Sequence, residues 1–153
     1  MMRMILALVL CVMTGSPPAA CPDITAAPED RQVLTGRDLW RPRVFLLEAG
    51  GDGRLARCGF RRQGFVRGPP DIAFDLTAMA RYDRLHLRAN APCDTVLLLR
   101  DPDGRWFFDD DSGTGQTASL SLSDPVDGRY LVWVGGYGPR GCAARLTLET
   151  FRG

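Results

Sequence analysis

Six aspartates fall between positions 94 and 111: Asp94, Asp101, Asp103, Asp109, Asp110 and Asp111. Five of them lie in two tight segments, Asp101-Pro102-Asp103-Gly104 and Asp109-Asp110-Asp111-Ser112-Gly113. Neighbouring carboxylates raise each other's pKa unless they are solvated or neutralised. Hard oxygen ligands on flexible loops are what calcium takes. Asp101, Asp103, Asp109, Asp110 and Asp111 are therefore the candidate calcium ligands, with Asp94 a weaker addition, and a solvated acidic rim is the alternative. The twelve-residue ligand order of an EF-hand and its closing Glu are missing. Calcium is the one cofactor expected.

The remaining reactive side chains point away from catalysis. His86, an Asp and Ser112 occur in a trypsin-like order, and Asp111-Ser112-Gly113 resembles the neighbourhood of such a serine. A chain of 153 residues is too short for the paired barrels that assemble that triad. His86 alternates with Leu85 and Leu87 and reads as an outward strand residue. No GxSxG, HExxH or P-loop is present. No catalytic residue is assigned, and the chain is expected not to be an enzyme. Trp106, Trp133, Tyr130 and Tyr137 could line a carbohydrate-binding face, although strand aromatics more often serve the core.

Cys21, Cys58, Cys93 and Cys142 follow an N-terminal segment with export character. Residues 1–20 carry Arg3, an apolar run over Met4–Met13 and small residues at Ala19-Ala20, the pattern of a signal peptide. Four cysteines in an oxidising compartment predict two disulfides. Of the three pairings possible, Cys93 with Cys142 and Cys21 with Cys58 best tie late strands together and the N-terminal arm to the sheet. Acylation of Cys21, as in a lipoprotein, would strand three thiols.

Strands must position all of these groups. Arg31–Thr35, Arg43–Ala49, Asp71–Thr77, Arg84–Ala89, Ala118–Ser123 and Ala144–Glu149 read as strands, most with apolar and polar residues alternating. Thr95–Leu99 is apolar on both faces and reads as a central strand covered on both sides. Gly50-Gly51-Asp52-Gly53 has hairpin-turn chemistry, with Arg54–Cys58 as the returning strand. Arg61–Pro70 reads as a basic connection. The result is an all-β fold, an antiparallel, jelly-roll-like β-sandwich of about nine or ten short strands, in one domain over 21–153.

Charge excludes some partners. Lys plus Arg is 19, all of it Arg, against 18 Asp plus Glu. That balance argues against nucleic acid and a polybasic membrane patch. No segment after the N-terminal one approaches transmembrane length.

The run Asp94–Gly104, then Asp110–Gly113, Gly128–Gly135 and Ala143–Thr150, resembles the bacterial pre-peptidase C-terminal (PPC) domain family over about 71–151. The resemblance implies a secreted, non-catalytic β-sandwich of the kind often attached behind a peptidase, some of which bind calcium or help engage substrate. Only Cys21–Ala89 precede the module here, so no peptidase activity is carried over. The expected function is an exported, periplasmic or extracellular, binding or accessory module whose partner is another exported protein or a glycan. A small exported hydrolase or protease inhibitor, or an envelope lipoprotein anchored through Cys21, are the alternatives.

Overall fold

The computed structural model describes residues 20–153; the signal-like segment lies outside them, apart from Ala20. Eleven strands form two packed sheets. They are β1 (Asp30–Thr35), β2 (Arg43–Ala49), β3 (Gly53–Arg54), β4 (Phe65–Val66), β5 (Ile72–Thr77), β6 (Arg84–Asn90), β7 (Thr95–Arg100), β8 (Trp106–Asp109), β9 (Ala118–Ser123), β10 (Gly128–Gly136) and β11 (Cys142–Phe151). Single 3-10 turns occupy Leu55–Arg57 and Met79–Arg81. No helix among the described residues is long and apolar enough to cross a membrane.

One sheet has four strands in the order β2-β11-β6-β9. The other has seven. β10 is its spine, flanked on one side by β5 with β1 beyond and by the short β4–β3 pair, and on the other by β7 with β8 beyond. Period-two alternation builds the main core between the sheets. Ile72, Phe74, Leu76, Leu97, Leu99, Val132 and Val134 face Leu85, Leu87, Leu120, Leu146 and Leu148. At roughly 1.5–3 kcal/mol for each fully buried large apolar side chain, this layer is the dominant stabilising term.

β7 is covered on both faces, as its unbroken apolar run requires. Val96 and Leu98 point away from the main core into a second cluster with Leu55, Val66, Ala73, Leu131 and Trp133. The excursion over residues 50–70 forms that lid. The disulfide Cys21–Cys58 and the bond from Asp23 N–H to Gly68 O, 2.7 Å, fasten the N-terminal arm to it. The second disulfide joins Cys93 to Cys142. With its sulfur bonded to Cys58, Cys21 has no thiol left to acylate.

Four expectations need correction. Gly50–Gly53 is not a hairpin turn, because β2 belongs to the four-stranded sheet and β3 to the seven-stranded one. It is a corner where the chain changes sheets. A Cβ on Gly51 would lie 2.1 Å from the carbonyl carbon of Val66, so only glycine lets the chain pass there. Arg54–Cys58 does not return as a strand. It stops after Arg54 and coils into the 3-10 turn that buries Leu55. Arg61–Pro70 is not strandless, since Phe65 and Val66 pair with Arg54 and Gly53, and Phe65 also with Gly136. The sandwich is also not wholly antiparallel: β1 runs parallel to β5 over six rungs. A parallel neighbour needs a long connection, which residues 36–71 supply.

Candidate functional site

An open groove of about 630 Å³ lies at one end of the sandwich, bounded by three segments distant in sequence. The first is the turn after β1, bringing Arg37 and Trp40. The second is the loop between β5 and β6, bringing Ala78, Arg81 and Tyr82. The third is Arg152, just past β11.

Local chemistry fixes each wall. Thr35 and Asp38 close the first turn: the Asp38 carboxylate accepts from Thr35 N–H at 2.8 Å and from Thr35 Oγ1 at 2.7 Å. These bonds, ahead of the nearby Arg43 and Arg37, hold the Asp38 pKa below its ordinary value. That carboxylate is thereby turned to its own backbone. Thr150 ties the turn to β11, donating its N–H to Leu39 O at 2.9 Å and its Oγ1–H to Gly36 O at 2.8 Å. Arg152, two residues on, is delivered beside Trp40. Gly36 leaves room for the Tyr82 ring, because a Cβ there would sit 2.4 Å from Tyr82 Cε2.

The second wall is strained. Ala78 has φ +56°, which L residues other than Asn and Asp rarely adopt. Asp127 holds it there, accepting from Ala78 N–H at 3.1 Å and Met79 N–H at 2.7 Å. The one other non-glycine residue with positive φ among those described is Asp124, whose N–H is held by Asp83 O just past Tyr82. Such strain persists where surrounding structure enforces it, and it clusters at functional sites.

The electrostatics of the groove have one sign. Arg37, Arg81 and Arg152 make no ion pair among the described residues, and no carboxylate lines the groove. The Arg152 guanidinium stacks 5.4 Å from the Trp40 ring centroid and 5.1 Å from that of Tyr82. Stacking orients the guanidinium plane and leaves its edge N–H donors free, an arrangement suited to a carboxylate, phosphate or sulfate. Trp40 remains 52% exposed.

The acidic segments do not converge. Asp101 is buried. Its carboxylate accepts from Arg105 N–H at 2.8 Å and Arg105 Nε at 2.7 Å, and Asp103 lies 3.3 Å from the same guanidinium. Asp109 accepts from the backbone N–H groups of Ser112 and Ser119 and from the Ser112 hydroxyl. Asp110 and Asp111 lie near Asp94, whose pKa is raised, by burial first and then by those two charges. The β7–β8 hairpin pairs Arg100 with Trp106 and Leu97 with Asp109, so the two acidic groups sit at its opposite ends. That is roughly 10 Å, against calcium–oxygen distances of about 2.4 Å. No group of three or more His, Cys, Asp or Glu side chains among the described residues is placed to hold one metal ion.

The other candidates also separate. His86 Nε2 is 2.7 Å from Ser119 Oγ, not Ser112, on the outer face of the four-stranded sheet. Burial, then Arg88 and Arg84, lower the imidazole pKa. Trp133 and Tyr130 do not form a ligand face, because they point to opposite sides of β10 and both are covered. Trp133 donates to Gly68 O, and the Tyr130 hydroxyl donates to Val126 O at 2.7 Å. Trp106 is half-exposed but packs between Trp133, at 5.5 Å, and Phe60, at 5.2 Å, as the lid of the second core. Tyr137 is exposed in the loop after β10.

None of the groove residues stands out by motif. Their one signature is arginine interleaved with aromatics in two turns, Arg37-Asp38-Leu39-Trp40-Arg41 and Arg81-Tyr82-Asp83-Arg84.

No protein-family profile matches the sequence, and no curated protein does. Among solved structures, the chain is similar to the pre-peptidase C-terminal domain of a collagenase from Bacillus anthracis, at 12% identity and TM-score 0.45, over 82% of this chain and 98% of that one. It is also similar to a periplasmic inhibitor of g-type lysozyme from Aeromonas hydrophila, at 12% identity and TM-score 0.40, over 79% of this chain and 98% of that one. The first bears the family name that the motifs in Asp94–Thr150 resemble.

Proposed function

We propose that the protein is an exported, non-catalytic binding module, and that the groove between Trp40, Tyr82 and Arg152 is where it holds its partner. The observation that carries this reading is the set of three arginines that make no ion pair among the described residues, one of them stacked on two aromatic rings, at the mouth of a groove with largely apolar walls. Unpaired cations are ordinary when scattered over a surface. Gathered around one ring-lined groove, they favour an anionic partner and steer its approach. Two disulfides support an oxidising compartment.

The non-catalytic part of the reading rests on how the reactive side chains are used. Ser112 is bonded to Asp109, and His86 to a different serine on an open sheet face. A nucleophile, a base and an orienting acid around one cavity are what acyl transfer needs. Here each of these groups serves its own loop or strand.

The test is retention. Mature protein immobilised through its N-terminus is offered an extract of the envelope of its own cells. It is expected to retain material that free protein competes off. The triple variant Arg37→Gln/Arg81→Gln/Arg152→Gln is expected to melt within a few degrees of wild type, since all three side chains are exposed, and to retain none of it. Equal retention by the variant would put the binding site elsewhere, and no retention by wild type would remove the binding reading.

A further inference from the structure

Resting on that reading, we infer that the groove takes an acidic glycan, a chain of sugar rings carrying carboxylate or sulfate groups. The observations divide the ligand into two parts. Its charge must be negative and repeated, because Arg37, Arg81 and Arg152 come from three separate segments and none makes an ion pair among the described residues, Asp38 near Arg37 being bonded to its own Thr35. Its body must be ring-like and weakly polar, because the open wall is Trp40, 52% exposed, packed on the buried Tyr82 ring 6.1 Å away at a tilt of 46°. A pyranose ring presents a C–H face that suits an aromatic wall and an edge whose substituents suit a guanidinium fork.

An acidic peptide fits less well. An arginine cluster can read the charges of an acidic peptide, but an extended peptide held along its length also takes main-chain hydrogen bonds to a free strand edge. The groove offers almost none. Thr35 is the last residue of β1, and the remaining lining residues sit in turns, a 3-10 turn and the tail after β11. Recognition here is left to rings and guanidinium groups.

The volume is also suited to a short piece of such a chain. About 630 Å³ in an open groove lies within the range of small-molecule sites, about 300–1,000 Å³. An open groove lets a polymer run through it without needing an end.

The experiment uses the mature protein and three probes: hexagalacturonate, its methyl ester and a hexaglutamate peptide. A sulfated hexasaccharide as a fourth arm separates sulfate from carboxylate. Binding is followed by calorimetry at low and moderate salt. Hexagalacturonate, the sulfated hexasaccharide or both are expected to bind saturably, more weakly as salt rises. If galacturonate binds, its neutral ester should be at least tenfold weaker. Arg152→Gln should weaken the acidic sugar by 10- to 100-fold, the range for losing a charge-assisted bond. Trp40→Ala should weaken it by about tenfold while leaving the salt dependence unchanged, because the ring carries no charge. Trp40→Phe should recover most of that loss. Equal binding of acid and ester, or hexaglutamate binding as tightly as the acidic sugars without sensitivity to Trp40→Ala, would overturn the glycan assignment. Retention of envelope material by the arginines of the groove, with no binding of either acidic sugar, would overturn the glycan assignment while the binding reading stands.

Discussion

A chain with Cys93 and Cys142 both changed to serine is expected to lose about 4 kcal/mol of stability. The two cysteines are separated by 49 residues. Closing a loop of that length in the unfolded chain removes about 4 kcal/mol of conformational freedom at 25 °C. The crosslink joins the loop after β6 to the start of β11, and everything between, β7 to β10, lies inside the closed loop. For a domain of this size the loss corresponds to a fall in melting midpoint on the order of 15 °C. Denaturant unfolding of wild type and the double serine variant, both under oxidising conditions, measures it. A loss below about 1 kcal/mol would mean that the unfolded chain is already compact in this region or that the link is not formed.

The second large effect is a pH dependence centred on Asp71. Its side chain is buried at the edge of β5, with the residue 4% exposed. Oδ2 accepts from Val134 N–H at 2.7 Å, whereas Oδ1 has no hydrogen-bond partner and the nearest cation, Arg67 Nε, is 3.7 Å away. Burial pushes the pKa from 3.8 up to about 7; the Val134 N–H and Arg67 oppose this and Glu29 adds to it. Between those two values the folded protein keeps a proton that the unfolded chain releases. The contribution of Asp71 is therefore fully present below pH 4 and is lost as pH rises through 7. Three units at 1.36 kcal/mol each set an upper bound of about 4 kcal/mol. In Asp71→Asn the amide oxygen can replace Oδ2 toward Val134, and the group no longer titrates. The stability of this variant relative to wild type is expected to climb between pH 4 and pH 8 by up to about 4 kcal/mol, whatever constant offset the amide brings. Urea unfolding of both proteins at pH 4, 6 and 8 is the measurement. A difference that stays flat across that range would show that Asp71 ionises freely in the native state.

Local grammar carried much of this fold into the sequence. Arg43–Ala49 is a strand with the bounds its composition suggests, and Asp71–Thr77 sends Ile72, Phe74 and Leu76 one way and Ala73 the other. Thr95–Leu99 is covered twice because its run has no polar face. Where long-range contacts decide, local grammar failed. Gly50–Gly53 has the residues of a hairpin turn, but Gly50 N–H bonds Val134 O, and this contact with β10 takes the corner into the other sheet. The aspartates of 101–111 are close in sequence, yet a rigid hairpin holds their two groups apart. Nothing in residues 101–111 states that Asp101 is spent on Arg105. The groove was the least legible part. Arg37, Arg81 and Arg152 share no motif or period, and they line one groove because Thr150 fastens the 36–39 turn to the end of β11 and Asp127 holds the loop that carries Arg81.

The most direct test of the central claim is to watch the groove itself. Isotope-labelled protein gives separate signals for the side-chain Nε–H groups of Arg37, Arg81 and Arg152 and for the indole N–H of Trp40. On titration with the acidic hexasaccharide that binds, these four are expected to shift together with one saturation curve. The indoles of Trp106 and Trp133 should stay in place, as should the backbone amides of Asp109–Asp111. Shifts centred on Trp106 and Phe60, with the four groove signals unmoved, would contradict the account and move the binding site to that second aromatic cluster.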